Sequence, residues 1–389
     1  MFLAGPADHP HVTPEHPLRV CFVCNELPPA PAGGIGPCVL TTAKALANTG
    51  HHVSVVGFYP KDYHWSIPGV NVYRVQPRSF PRTKLDWLVR RVAIARALNA
   101  LHHRDPLDIV EWPDYEGMYL GNLAGTTNVV RNHGPLMSHR LAGLVPRARL
   151  LESLELHTLR RIPNWIGVSR WFMSEWMRIA NARPRNSTVI YNPVDCDLFH
   201  PDAQSKDDNL ILYAGSLIER KGVFALAAAS RQFLPALPQA KLLFVGRSDP
   251  AARERIRLLA GETAYRQIEI RDPLPQLELA SLMCRAAIFA MPSVLESFGN
   301  VWAEAMASGT AVLGSLLSAG PEIVPDEQAG LLVDPADSAQ IASAIQRLMT
   351  NSDLRRRLGE SGRRIAIERY SVSAALSQTV DFYRTCIGT

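Results

Sequence analysis

The stretch Ala286-Ala287-Ile288-Phe289-Ala290-Met291, with Glu296-Ser297-Phe298-Gly299-Asn300-Val301-Trp302-Ala303-Glu304 after it, reads as strand, tight turn and helix start. The apolar run has the length of a buried strand, and the helix-prone stretch that follows ends at Gly309. Backbone N–H groups at a helix start have no partner inside the helix and carry partial positive charge, so they can hold phosphate. Glu296 and Glu304 cannot bind that phosphate, but both can accept hydrogen bonds from sugar hydroxyls. A ligand with hydroxyls at both ends and phosphate between them is a nucleotide sugar. Taken alone, a glutamate pair here reads as a surface pair favoured by the helix dipole. The rest of the chain decides between the two.

Outward from this segment, the same alternation runs in both directions. Strand-like runs lie at Leu18–Cys24, His52–Gly57, Val70–Val75, Leu107–Glu111, Thr127–Arg131, Trp165–Val168 and Thr188–Tyr191, mostly separated by helical stretches. A helix is expected from Pro37 to about Asn48. A second series of strands lies at Leu210–Ala214, Lys241–Val245, Gln267–Ile270, Ala286–Met291 and Thr310–Gly314. Helices from Ser338, Asp353 and Ser371 close the chain. This alternation predicts an α/β protein with two Rossmann-like, doubly wound domains on largely parallel sheets. They are expected over residues 18–195 and 209–365, joined by a polar, turn-rich linker at 196–208. Residues 1–17 read as a loose arm. Ligand crevices of such domains lie at the carboxyl ends of the strands, so a shared site falls in the cleft between them.

A chain of 389 residues exceeds one ordinary core, and an apolar share of 47% with 20% charged excludes wholesale disorder. No apolar run approaches the roughly 20 residues of a bilayer span. Met1–Pro17 lacks a basic stretch followed by an apolar one, so it does not read as a secretory signal, and a cytoplasmic location is expected. The six scattered cysteines fit a reducing compartment. Cys21-Phe22-Val23-Cys24 spells C-x-x-C within a predicted strand, where positions three apart face opposite sides, and no second pair lies near it to complete a zinc site. The net charge is uneven: residues 1–195 hold 21 Lys/Arg against 14 Asp/Glu, and the remainder 20 against 22. The first part is therefore expected to meet something anionic.

A series of short motifs runs along nearly the whole chain. They are Gly33-Gly34-Ile35-Gly36, His133-Gly134, Val168-Ser169, and Val189-Ile190-Tyr191-Asn192-Pro193-Val194-Asp195 with Phe199 and Pro201. Ala214-Gly215-Ser216-Leu217 leads to Arg220-Lys221-Gly222, Met291-Pro292-Ser293 precedes the glutamate pair, and Gly330-Leu331-Leu332-Val333 follows it. In this order, and with the Glu-x7-Glu spacing, the chain resembles the retaining glycosyltransferases of family 4 (glycosyl transferases group 1), which have the GT-B fold. The resemblance implies a nucleoside diphosphate sugar as donor, most simply a UDP- or GDP-sugar, and a carbohydrate or lipid-linked acceptor, with no cofactor and no metal. It implies that Glu296 binds hydroxyls of the transferred sugar and Glu304 the ribose. The amides of Phe298, Gly299, Asn300 and Val301 would hold the distal phosphate. Gly36, Gly215 and Ser216 fall in the donor site as well, and Leu274 near the base. Lys221 matches the lysine that faces the diphosphate. Many members carry an arginine where this chain has Ser216, and Arg220 is the replacement expected here. His133 is expected near the reacting centre, and Gly34, Asp114 and Glu116 on the acceptor side. Residues 366–389 would pack back on the first domain. The alternatives are a nucleotide-sugar-binding pseudoenzyme or partner subunit, and a phosphorylase or hydrolase on the same fold.

Each remaining motif has a plainer reading. Arg220-Lys221-Gly222 can simply open a helix with solvated charges. Asp195-Cys196-Asp197 spells D-x-D, but two carboxylates alone make a poor divalent site, and the position argues for a hinge turn. The glycine loop lacks the G-x-G-x-x-G of a dinucleotide fold, and no acidic residue closes the second strand, which runs into Phe58-Tyr59-Pro60. Residues 82–104 form a basic amphipathic helix with Trp87 near its start, read either as a packed surface helix or as a dock for an anionic membrane on the inner face. Nucleic acid is not expected as a partner, because aromatic residues do not interleave with the basic ones.

Overall fold

The computed structural model describes residues 16–30, 33–76, 86–134, 137, 140, 143, 148–202 and 206–388. The first domain carries strands β1 (Arg19–Val23), β2 (His52–Gly57), β3 (Val70–Arg74), β4 (Ile109–Pro113), β5 (Thr127–Asn132), β6 (Asn164–Gly167) and β7 (Asn186–Val189). They form one parallel sheet in the order β3-β2-β1-β4-β5-β6-β7. Its helices include α1 (Ile35–Asn48), α2 (Asp86–Arg104), α3 (Arg149–Arg161) and α4 (Arg170–Ala180). Because helices cover both faces, the inner strands are buried on both sides and read as near-continuous apolar runs.

The second domain repeats the plan with strands β8 (Asp207–Ala214), β9 (Lys241–Val245), β10 (Ile268–Arg271), β11 (Ala286–Ala290), β12 (Ala311–Ser315) and β13 (Gly330–Val333). Their order is β10-β9-β8-β11-β12-β13, again parallel. Helices α5 (Val223–Phe233), α6 (Pro250–Tyr265), α7 (Gln276–Arg285), α8 (Asn300–Ala307), α9 (Gly320–Ile323), α10 (Ser338–Thr350) and α11 (Ser352–Tyr370) cover it. In each sheet the strand order reverses beside its first strand, at β1/β4 and at β8/β11. Those reversals open a crevice at the strand ends.

The segment expected as a linker is partly core. Phe199 is buried in the second domain's apolar cluster, as is Val194 just ahead of the segment, and β8 already starts at Asp207. The Asp195 carboxylate accepts the N–H groups of Asp197 (3.2 Å) and Leu198 (2.9 Å), so the D-x-D forms a turn. The last helix, α12 (Val372–Ile387), crosses to the first domain. There Ala375, Phe382, Tyr383 and Cys386 join its core, and the Tyr383 hydroxyl donates to Glu111 at 2.6 Å.

Helix α2 turns some of its basic face inward; residues 82–85 lie outside the described residues. Arg91 is only 4% exposed, and Arg90 lies over the Phe58 ring at 4.8 Å and 3.8 Å from Glu116. Arg91 is therefore turned into the protein, and Arg90 is held against Phe58, after β2, and Glu116, after β4.

Candidate active site

The donor-side residues gather at the β8/β11 reversal. A single helical turn, Glu219–Lys221, follows β8, and Gly222 ends it at φ 71°. A Cβ there would lie 1.9 Å from the Pro292 carbonyl oxygen, so only glycine fits. This close approach sets the turn after β8 against the loop after β11, where Val294 N–H donates to Arg220 O at 2.9 Å. Arg220 Nη1 donates to Leu295 O at 3.3 Å, and Lys221 Nζ meets Glu296 Oε1 at 2.6 Å. The two side chains read from sequence as touching different parts of a donor thus pair with each other. Burial alone would raise the Glu296 carboxyl, but Lys221 and Arg220 hold it below its ordinary value, so it is ionised. Burial pushes the Lys221 ammonium down, and Glu296 opposes that shift.

Gly299, at φ 84°, is the N-cap of α8, and a Cβ there would strike the Trp302 ring at 2.4 Å. Among the described residues no side chain caps α8, and its first turn holds no acid. A helix start of this kind has the polarity an anion needs. Glu304, one turn in, is pushed up to about 7 by burial alone. Gly215, Ser216 and Leu274 line the strand-end side of the same domain, all partly exposed. Ser216 O accepts the Tyr213 hydroxyl at 2.9 Å.

On the facing domain, the outcome differs from the sequence reading. The Gly36 N–H is engaged within its own domain. Glu26, which sequence reasoning did not single out, takes the N–H groups of Gly33 (2.8 Å), Ile35 (2.9 Å) and Gly36 (3.1 Å). Asp114, expected on the acceptor side, is turned into its own domain. It is fully buried and accepts the amides of His133 (3.0 Å) and Gly134 (3.1 Å), which fixes that loop. Burial lifts its carboxyl to about 7. Glu116 is partly exposed and accepts from Asn25 Nδ2 at 2.9 Å. His133 sits at the end of β5, and burial, reinforced by Arg131, lowers it to about 3. It is a neutral imidazole near pH 7. Arg131 is neutralised in turn by Glu111, with bonds of 2.8 and 3.1 Å.

The domains meet at the turn before α8. Ser169 Oγ donates to Ser297 O at 2.6 Å, Asn192 Nδ2 to Asn300 Oδ1 at 2.9 Å, and Asn300 Nδ2 to Gly34 O at 3.3 Å. Gly34 is therefore a domain contact, through its carbonyl. Glu322 adds a second bridge, described below. Sequence gave no signal for Glu26 or Glu322 beyond their neighbourhoods, the glycine loop and the Gly320-Pro321 turn.

Two parallel-sheet domains whose strand ends face one cleft, with a Lys–Glu pair and an open helix start on one wall, make this a glycosyltransferase of the GT-B architecture. The family models agree. "Glycosyl transferases group 1" matches residues 197–365 and "Glycosyltransferase Family 4" residues 32–198. The chain belongs to that family. Among curated relatives, an MMP alpha-(1->4)-mannosyltransferase of Mycolicibacterium hassiacum is 28% identical over 91% of this chain and 95% of its own length. A phosphatidyl-myo-inositol mannosyltransferase of Mycobacterium tuberculosis is 27% identical over 96% of this chain and 98% of its own. A sucrose-phosphate synthase structure from Thermosynechococcus elongatus superposes with a TM-score of 0.82 at 25% identity, covering 95% of this chain and 99% of that one. Anabaena HepE in complex with UDP and glucose shares the fold, with a TM-score of 0.72 at 17% identity over 94% of this chain and 98% of its own.

Proposed function

We propose that this protein transfers a sugar from a nucleoside diphosphate donor to an acceptor hydroxyl, with retention at the anomeric carbon and without a metal. The observation that carries the reading is the uncapped start of α8 beside the buried Lys221–Glu296 pair. Glu296 accepts hydroxyls of the transferred sugar, and Glu304 those of the ribose. The α8 amides, Lys221 and Arg220 neutralise the departing diphosphate as the glycosidic bond breaks. The transition state is oxocarbenium-like, and the leaving phosphate takes the proton of an acceptor attacking from the same face. Neutral His133, held by Asp114, contributes a hydrogen bond near the reacting centre and no proton. The relatives named above, two of them mannosyltransferases and one solved with UDP, support a UDP- or GDP-sugar.

Thermal-shift screening against UDP-, GDP- and ADP-sugars identifies the base. NMR of the product then reads its anomeric configuration, and the assay is repeated with chelator. An inverted product, or activity lost on chelation, overturns the corresponding part. Full donor binding without turnover by any acceptor would favour a binding subunit instead. Release of free sugar, or of sugar phosphate, would favour a hydrolase or a phosphorylase.

A further inference from the structure

Helix α4 of the first domain has no acid in its first turn, yet its opening N–H groups are all engaged. Ser169, its N-cap, accepts Phe172 N–H at 3.1 Å. Arg170 N–H and Trp171 N–H donate to the two oxygens of Glu322, at 2.8 and 3.1 Å. Glu322 belongs to α9 of the other domain, and it also accepts the Tyr191 hydroxyl at 3.0 Å. A carboxylate on helix-end amides is a charge-assisted contact at the favourable end of the dipole. Here it exists only while the domains are together.

Glu322 is also rigidly tied to the sugar-binding wall. Its N–H donates to Ala319 O at 3.1 Å, Ala319 N–H donates to Glu296 O at 3.3 Å, and Glu296 N–H donates to Ser318 Oγ at 3.0 Å. Gly320 packs so closely that a Cβ would lie 1.9 Å from Ser315 O, which leaves little slack. The same end of α4 reaches the neighbouring residue directly, through Ser169 Oγ to Ser297 O. One helix end thus holds both Ser297, which follows Glu296, and Glu322, whose segment bonds the Glu296 backbone.

We infer that Glu322 is a positioning residue: by capping α4 across the cleft it sets the Ser318–Glu322 segment, and with it Glu296, in the geometry for transfer. The inference rests on the sugar-binding role proposed for Glu296. The nucleotide contacts proposed above lie within the second domain, so Glu322→Gln lowers kcat by about tenfold or more, while affinity for UDP, GDP or ADP, titrated by calorimetry, stays within about twofold. Amide exchange gives a readout independent of turnover. In Glu322→Gln, exchange quickens by about tenfold at Arg170 and Trp171 and also at Glu296 and Ala319. Ser169→Ala acts on the same end, so the double variant loses less than the product of the single losses. Unchanged kcat, nucleotide affinity falling in step with kcat, or faster exchange confined to α4 would each overturn the inference. If wild-type protein turns over no donor, the functional reading fails, and the exchange at Glu296 still decides the role of Glu322.

Discussion

At the end of β1, the chain's own Glu26 takes the N–H of Gly33 in the loop and those of Ile35 and Gly36 in the first turn of α1; at the end of β11, the first turn of α8 gives none to any side chain among the described residues. The two sheets have the same build and the same kind of crevice. In the first domain the crevice is filled with internal carboxylates, since Asp114 likewise holds the amides of His133 and Gly134. In the second, the carboxylate of Glu296 stands beside the helix end, bound to Lys221. A parallel sheet thus supplies an anion seat twice, and the side chains decide which seat a ligand can use.

The sharpest way to break this contrast is at the buried pair. Lys221→Met leaves Glu296 buried and unpaired, and we expect turnover to fall by more than about a hundredfold and stability by about 3 kcal/mol. Glu296→Gln should cost turnover similarly. Combined, the two changes should destabilise less than their sum, which a double-mutant cycle in urea would measure. Additive losses would mean that the pair does not act as one unit.

Removing the carboxylate on the other side should behave differently. Glu26→Ala uncaps α1 and should lower stability by about 1–2 kcal/mol, with nucleotide affinity unchanged. A tenfold fall in that affinity would show that the first crevice also serves the donor phosphate. Glu304 offers a pH test. Its carboxyl is raised to about 7, so the folded state holds a proton that the unfolded state has lost above its ordinary carboxyl range. The stability this contributes is present at acid pH and disappears as pH rises through 7. Glu304→Gln should therefore raise the melting temperature more at pH 8 than at pH 5, by the equivalent of about 1–2 kcal/mol. The smallest effect is expected at Arg90→Ala, about 0.5–1 kcal/mol from its stacking on Phe58, seen by thermal melting.

Much of this was legible in the sequence because it is written locally. Apolar runs between turn residues placed every strand but β13 to within a few positions, and Gly299 and Gly222 mark places where a Cβ does not fit. The Glu296 and Lys221 segments announced themselves by residue type and order. Their pairing with each other did not, because it depends on how two loops 75 positions apart converge. Glu26 escaped for a related reason: a glycine loop at a helix start looks open whether or not a carboxylate reaches back to cover it. Asp114 looked like a cleft residue because it stands at a strand end. Its complete burial follows from the fold of residues 133 and 134, nineteen and twenty positions away. The α2 helix showed its charges but not their direction, which packing against Phe58 and Glu116 decides.

Helix α12 has a consequence for how the protein is made. Phe382 and Tyr383 fill part of the first domain's core, and the Tyr383 hydroxyl completes the buried Glu111–Arg131 pair. Synthesis delivers that wall after the whole second domain. The half that leaves the ribosome first is the half that must wait, with one face of its core and a buried charge pair unfinished until residue 383 has emerged.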